Sequence, residues 1–306
     1  MAFAVVSGIV VGAIYGLFAV GIVLVYRGSR VINFAAPEIG TVALYIAWSM
    51  THERTTPWLT AALVAVLASG AIALAFERLV VRRMQDAPRL AVAVATIGLM
   101  LLLTALELLF WDPSPRFLPG PVAGAGIQVA GLVVSPTQLI SLVVVAALGL
   151  GLTQFLRRTD FGLGVQAAAM DPAALRLVGV PLDEVSGFVW ALGGMLAAVA
   201  ALLVEPAIGA FGPGFMTSAF FVPSLAAALI GGLDDVTGAF AGGLVVGVLS
   251  EVTSYLFLGV AFPGAASVVV FAVIVGVLLV APGGLVGGIR ERLRVNLGAP
   301  RSAGAA

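Results

Sequence analysis

Four carboxylates interrupt stretches that are otherwise apolar: Glu38, Glu107, Glu205 and Glu251. Hydrocarbon cannot solvate an ionisable group, so such residues face a cavity, a partner or the bilayer edge. The chemistry open to them is ion relay, substrate contact or the locking of one helix to another. Glu107 and Glu205 read as lying near the outer ends of their runs, within reach of water. Glu38 reads as one turn inside a cytoplasmic end, where an interfacial position is equally open. Glu251 reads as the deepest of the four. With Asn33, Gly209, Gly212, Ser218 and Ser250, Glu38 and Glu251 form the candidate set for a substrate pathway. The glycines belong to 206–224, where Pro206, Gly209, Gly212, Pro213, Gly214 and Pro223 break a helix. Broken backbone at membrane depth is tolerated where it lines a watery cavity, and transporters use it to bind substrate. An ordinary exterior loop is the other reading.

Other chemistries are closed. Cysteine is absent, and His52 is the only histidine, which excludes thiol nucleophiles, multi-His metal sites and His-based triads. All 15 basic residues are arginine. A phosphate-binding P-loop needs a lysine, so this chain carries no such ATPase motif. The sequence points to no catalytic residue, resident cofactor or metal, and to no nucleic-acid surface.

A second kind of signal lies between Arg157 and Val185. Asp171 can cap free backbone N–H groups, and Pro172 suits the first helical position. Gly179 followed by Pro181 is a stop signal. Between them Ala174, Leu175 and Val178 share one face of a short helix, with Arg176 off it. A short apolar helix outside the membrane needs a partner. The bilayer surface, the protein's own loops and another protein all qualify.

The elements that must position these residues are membrane spans. The chain of 306 residues is 61% hydrophobic and 10% charged, with mean hydropathy +1.16. Soluble domains carry about 25% charged residues. The composition therefore predicts an all-α, polytopic helical bundle, one transmembrane domain over 1–306, with about nine spans (eight remaining open). The expected spans are 2–26, 34–50, 58–76, 90–110, 137–156, 186–204, 218–233, 239–257 and 265–280. The seventh and eighth could instead form a re-entrant hairpin. Between the fourth and fifth, the segment 111–136 reads as an exterior loop with strand character at GIQVAGLVV. Gly8, Gly12 and Gly16 recur every four residues and predict a close helix–helix face. With the N-terminus outside and the C-terminus inside, 13 of the 15 arginines fall on the cytoplasmic side, as the positive-inside rule asks.

Three stretches, taken together, resemble one family. VINFAAPEIGTVALYIAW, FGLGVQAAAMDPAALRLVGVPLDEVSGFVWALGGMLAAVAALL and ALIGGLDDVTGAFAGGLVVGVLSEV are similar, in order and spacing, to LivH-like permease subunits of branched-chain amino acid-type ABC transporters. Ala36-Pro37 depart from a His-Gly pair common in that family, and Gln166-Ala167-Ala168 stand where many ABC importers, though often not this subfamily, have an acidic-Ala-Ala start. The resemblance implies an inner-membrane importer subunit moving branched-chain or related small amino acids, amides or urea. It makes Asp171–Gly179 a coupling helix that docks on a separate ATPase. It implies two ABC ATPase subunits, a second similar permease, and an exterior solute-binding protein delivering substrate near Gly209–Ser218. Read from the residues alone, an ion-coupled secondary transporter and a passive channel or scaffold also stand.

Overall fold

The computed structural model describes residues 1–122, 126–129, 132–170, 181–257 and 264–280. The expected coupling helix, 171–179, and the arginine-bearing tail lie outside the described residues. Eleven α-helices are described: α1 Ala2–Ser29, α2 Ala36–His52, α3 Trp58–Leu79, α4 Arg89–Trp111, α5 Pro136–Arg158, α6 Asp160–Met170, α7 Leu182–Ile208, α8 Phe215–Ala219, α9 Phe221–Gly231, α10 Val236–Leu256 and α11 Ala265–Val280. A 3-10 turn, Val81–Met84, extends α3. Among the described residues, six helices are long and apolar enough to cross a membrane: α1, α3 with its 3-10 extension, α4, α5, α7 and α10. The only described strands form a small hairpin, β1 Ile127–Val129 and β2 Leu132–Val134, paired antiparallel with Ile127 opposite Val134. It lies where the sequence shows strand character.

Local chemistry explains the boundaries. Ser135 caps α5 reciprocally: its Oγ accepts from the Gln138 N–H at 3.2 Å, and Gln138 Oε1 accepts from the Ser135 N–H at 3.0 Å. Asp235 caps α10 by accepting from the N–H groups of Thr237 and Gly238. Pro206 sits in the last turn of α7, and Gly209, at φ 86°, closes that helix. Pro223, in the first turn of α9, has no N–H to return to Ala219, so α8 and α9 are two short helices rather than one.

Packing is centred on α1, which touches α7, α9 and α10 and is almost wholly buried. The expected glycine face is present, and its partner is α10. A Cβ on Gly8 would stand 2.6 Å from Val248 Cα; one on Gly12, 2.8 Å from the Gly243 carbonyl oxygen; one on Gly16, 2.8 Å from that of Phe240. The α10 face answers with Gly243 against Gly16 and Gly247 against Gly12. Backbones meet here with nothing between them, the close approach that small residues permit in membranes. On the other side α2 lies among α3, α4 and α7. The exposed faces of α3, α4 and α5 are aliphatic, carrying Leu63, Leu67, Leu101, Leu109 and Val143 among others.

Charge is gathered at one end. Arg27, Arg30, Arg82 and Arg89 line a cavity of about 270 Å3 with Glu77 and Asp183. Arg82 braces that end: its Nη2 donates to Glu77 Oε2 at 3.0 Å and to the Asp183 carbonyl at 2.7 Å, tying α3 to the first turn of α7. Gln85 Nε2 adds a bond to Asp183 Oδ1 at 2.9 Å. Arg30 pairs with Asp234, between α9 and α10, at 3.1 Å.

Candidate functional site

The polar centre of the bundle is built on Glu38, in the first turn of α2. The link from α1 to α2 is irregular, and its backbone is satisfied by neighbours: the Phe34 N–H donates to Thr96 Oγ1 at 3.1 Å, and the Ala35 N–H to Asn33 Oδ1 at 3.0 Å. Pro37 then fits the start of α2, where no N–H is needed. This brings Glu38 beside Thr104 of α4, about 22 Å along that helix from Arg89 at 1.5 Å per residue. Glu38 is therefore well removed from the arginine-rich end, although its place in the sequence suggests a position one turn from it. The chain climbs irregularly before α2 begins, and hydropathy alone does not register that climb.

Three donors converge on the Glu38 carboxylate. Thr104 Oγ1 donates to Oε1 at 2.9 Å, the Gly214 N–H to Oε1 at 3.0 Å, and Thr217 Oγ1 to Oε2 at 2.6 Å. The Gly214 N–H is shared with Glu107 Oε2 at 3.3 Å. Gly214, at φ 73°, takes the left-handed conformation that lets the chain turn into α8 and aim this N–H at both carboxyls. Nearby, the Met216 N–H donates to Thr41 Oγ1 at 3.2 Å. Glu38 and Glu107 are both wholly buried, and no arginine pairs with either among the described residues. Two negative charges side by side without a cation would be costly in so apolar a setting. The pair is thus able to take up a proton or a small cation, and Glu107 Oε1 has no partner among the described residues.

Glu205 anchors a different connection. It is wholly buried, and its Oε1 accepts the Leu118 N–H at 3.0 Å, pinning the loop after α4 to the end of α7. Arg116 and Phe211 exchange backbone hydrogen bonds at 2.9 and 2.8 Å just above. Tyr45 lies beneath, its ring 5.0 Å from that of Trp111 and 5.1 Å from that of Phe211. The Trp111 indole N–H donates to Ser49 Oγ at 2.7 Å. Arg116 lies over the Trp48 ring at 4.0 Å and pairs with Asp112 at 3.2 Å. The hydroxyl and backbone N–H of Ser114 hold Asp112 below the usual carboxylate range, and Arg116 adds to this.

The structure separates the residues that the sequence groups as a pathway. Glu38 is central. Asn33 is buried in the irregular link five residues before it, its Nδ2 without a partner among the described residues. Gly209 and Ser218 are exposed, and Gly212 is half-buried. Ser250 and Glu251 are half-buried near the end of α10, where Ser7 Oγ donates to Glu251 Oε2 at 3.3 Å. Glu251 is thus the least buried of the four carboxylates, and Glu107 and Glu205 do not reach water. Counting residues from a span's edge fails here because the loop after α4 and the 209–214 segment fold over the helix ends. Thr41, Thr96, Thr104 and Thr217 are site residues that sequence reasoning missed. One signal was available: Glu38 with Thr41, and Thr104 with Glu107, are each three apart and so share a helix face. The residues 171–179 lie outside the described residues.

Comparison with known proteins now bears on this geometry. Residues 4–279 match the family described as branched-chain amino acid transport system / permease component. The high-affinity branched-chain amino acid transport system permease protein BraD of Pseudomonas aeruginosa is 30% identical over 294 residues, covering 92% of this chain and 94% of that protein. The corresponding permease protein LivH of Salmonella typhimurium is 29% identical over 296 residues, covering 92% and 94%. Among solved structures, a chain of PsaBC from Streptococcus pneumoniae in complex with Fab matches with TM-score 0.49 and 17% identity over 91% of this chain and 89% of its own. The chain belongs to the family of branched-chain amino acid transport system permease components. It is a multi-pass protein of the bacterial inner membrane.

Proposed function

We propose that this chain is the membrane-spanning subunit of an ATP-driven importer that moves branched-chain or related small amino acids into the cytoplasm. The observation that carries the reading is the family match over 4–279 in a chain with no lysine for a phosphate-binding loop. ATP hydrolysis then belongs to two separate ABC ATPase subunits. A second permease completes the pore, and an extracytoplasmic solute-binding protein delivers the substrate. The arginine-rich end is cytoplasmic, the N-terminus is outside, and the chain crosses the bilayer nine times, α8 and α9 together making one crossing. Asp171, Pro172 and Gly179 bound the coupling helix, and Ala174, Leu175 and Val178 present it to the ATPase. The Glu38–Glu107 pair and the Gly209–Ser218 segment border the substrate's route.

The test is leucine uptake by proteoliposomes holding the whole system. Uptake requires ATP and both ATPases, and Leu175→Asp with Val178→Asp abolishes it together with co-purification of the ATPase. Uptake that persists in the double variant removes the docking role. The buried carboxyl pair favours a second reading, an ion-coupled transporter working alone. Uptake by this chain without ATPases, abolished by a proton or sodium ionophore, would select it.

A further inference from the structure

At the end of the bundle opposite the arginine-rich one, Ser49, Glu53, Phe110, Trp111 and Arg116 line one open cleft of about 470 Å3. Small-molecule sites span roughly 300–1,000 Å3, lined by apolar walls with a few placed polar groups. Arg116 is fixed by its stacking on Trp48, and its side chain is only 14% exposed. Its Nη2 serves the Trp111 carbonyl and Asp112 and its Nε is sealed from solvent, which leaves Nη1 as its open donor. Glu53 is exposed and forms no ion pair with Arg116, although both line the same cleft. Ser49 Oγ accepts from the Trp111 indole, which leaves its own O–H to donate. Phe110, largely exposed, and Trp111 supply apolar wall.

A cation and an anion that share a cleft without closing on each other leave room for a molecule carrying both charges. We propose that this cleft is a receiving site for a free amino acid with an aliphatic side chain. The α-carboxylate meets Arg116 and the Ser49 hydroxyl, the α-ammonium meets Glu53, and the side chain lies on Phe110 and Trp111. The cleft sits one turn of α4 above Glu107, with Tyr45 packed between Trp111 and Phe211 beneath it. An amino acid released there stands over the Glu38–Glu107 pair. The assignment rests on the amino acid reading above and names a site on this chain itself, separate from any binding protein.

The test uses the full chain in nanodiscs of neutral lipid and follows tryptophan emission, since Trp48 and Trp111 border the site. L-Leucine gives a saturable change. Isoamylamine, which lacks the carboxylate, and 4-methylpentanoate, which lacks the ammonium, each bind about tenfold more weakly, as the loss of one charge-assisted contact requires. Glu53→Gln weakens leucine and isoamylamine about tenfold and leaves 4-methylpentanoate unchanged, and Glu53→Asp restores leucine in part. Equal binding of leucine and both analogues, or an unaltered leucine response in Glu53→Gln, overturns the site. If the complete system takes up leucine with the same KM in wild type and Glu53→Gln, the site falls and the amino acid reading stands. A wild-type system that moves no neutral amino acid removes that reading instead.

Discussion

Two seams run through this bundle and are held by opposite means. Between α1 and α10, glycine faces glycine, backbones touch, and the contact is dry. Around Glu38, α2, α4 and α8 are joined by directed hydrogen bonds to one carboxylate, and Glu107 Oε1 has no partner among the described residues. Close packing of small residues has one good geometry and resists sliding. Hydrogen bonds to a carboxyl can be exchanged for bonds to water, a proton or a ligand at modest net cost. The first seam is therefore the frame. The second is where the molecule can change partners.

The largest effect should come from crowding the frame. Gly243→Leu drives a side chain into the Gly16 backbone, and a cost of about 3 kcal/mol or more is expected from overpacking. Loss of the monodisperse peak in detergent chromatography checks it. Next is Glu38→Ala, which strands the Thr217 hydroxyl and weakens the hold on Gly214, at ~2 kcal/mol. A thermal-shift assay should show Glu107→Gln costing clearly less. A glutamine there still accepts the shared N–H, and its amide can donate to Glu38, whereas Glu38 serves three donors. Equal costs at the two positions would mean the pair is symmetric. Thr217→Val removes only the 2.6 Å bond and should cost ~1 kcal/mol or less, given how weak such bonds measure in membranes. The smallest effect marks the frame's limit. A Cβ on Gly98 meets nothing within 4 Å, so Gly98→Ala leaves stability unchanged or slightly raised.

The frame was legible in the sequence because its signal is periodic. Gly8, Gly12 and Gly16 announce a close face, although not its partner, which requires knowing that α10 returns beside α1. The hairpin and the break at Pro223 were equally local and equally readable. The polar seam was legible only in part. Glu38 stands out by type, yet its depth depends on the irregular climb from Arg30 to Ala35, which leaves no periodic trace. The threonines were hidden for a different reason. A lone threonine in an apolar helix ordinarily bonds its own backbone, as Thr104 does to the Met100 carbonyl at 3.0 Å. Glu38, which competes for the same hydroxyl proton at 2.9 Å, appears beside it only in three dimensions.

The short helix α9 has a consequence for how the protein is held in the bilayer. Its eleven residues rise about 16 Å, little more than half the ~30 Å hydrocarbon core. A segment that short gains too little from lipid to hold a crossing by itself. Its backbone lies directly against α10, Gly231 on Gly238 and Gly242 on Ala227. Its place in the bilayer therefore depends on α1 and α10, the two long helices it packs against. A chain truncated before Val236 is expected to hold α9 less firmly, read as faster labelling of a cysteine placed in α9 by a membrane-impermeant thiol reagent.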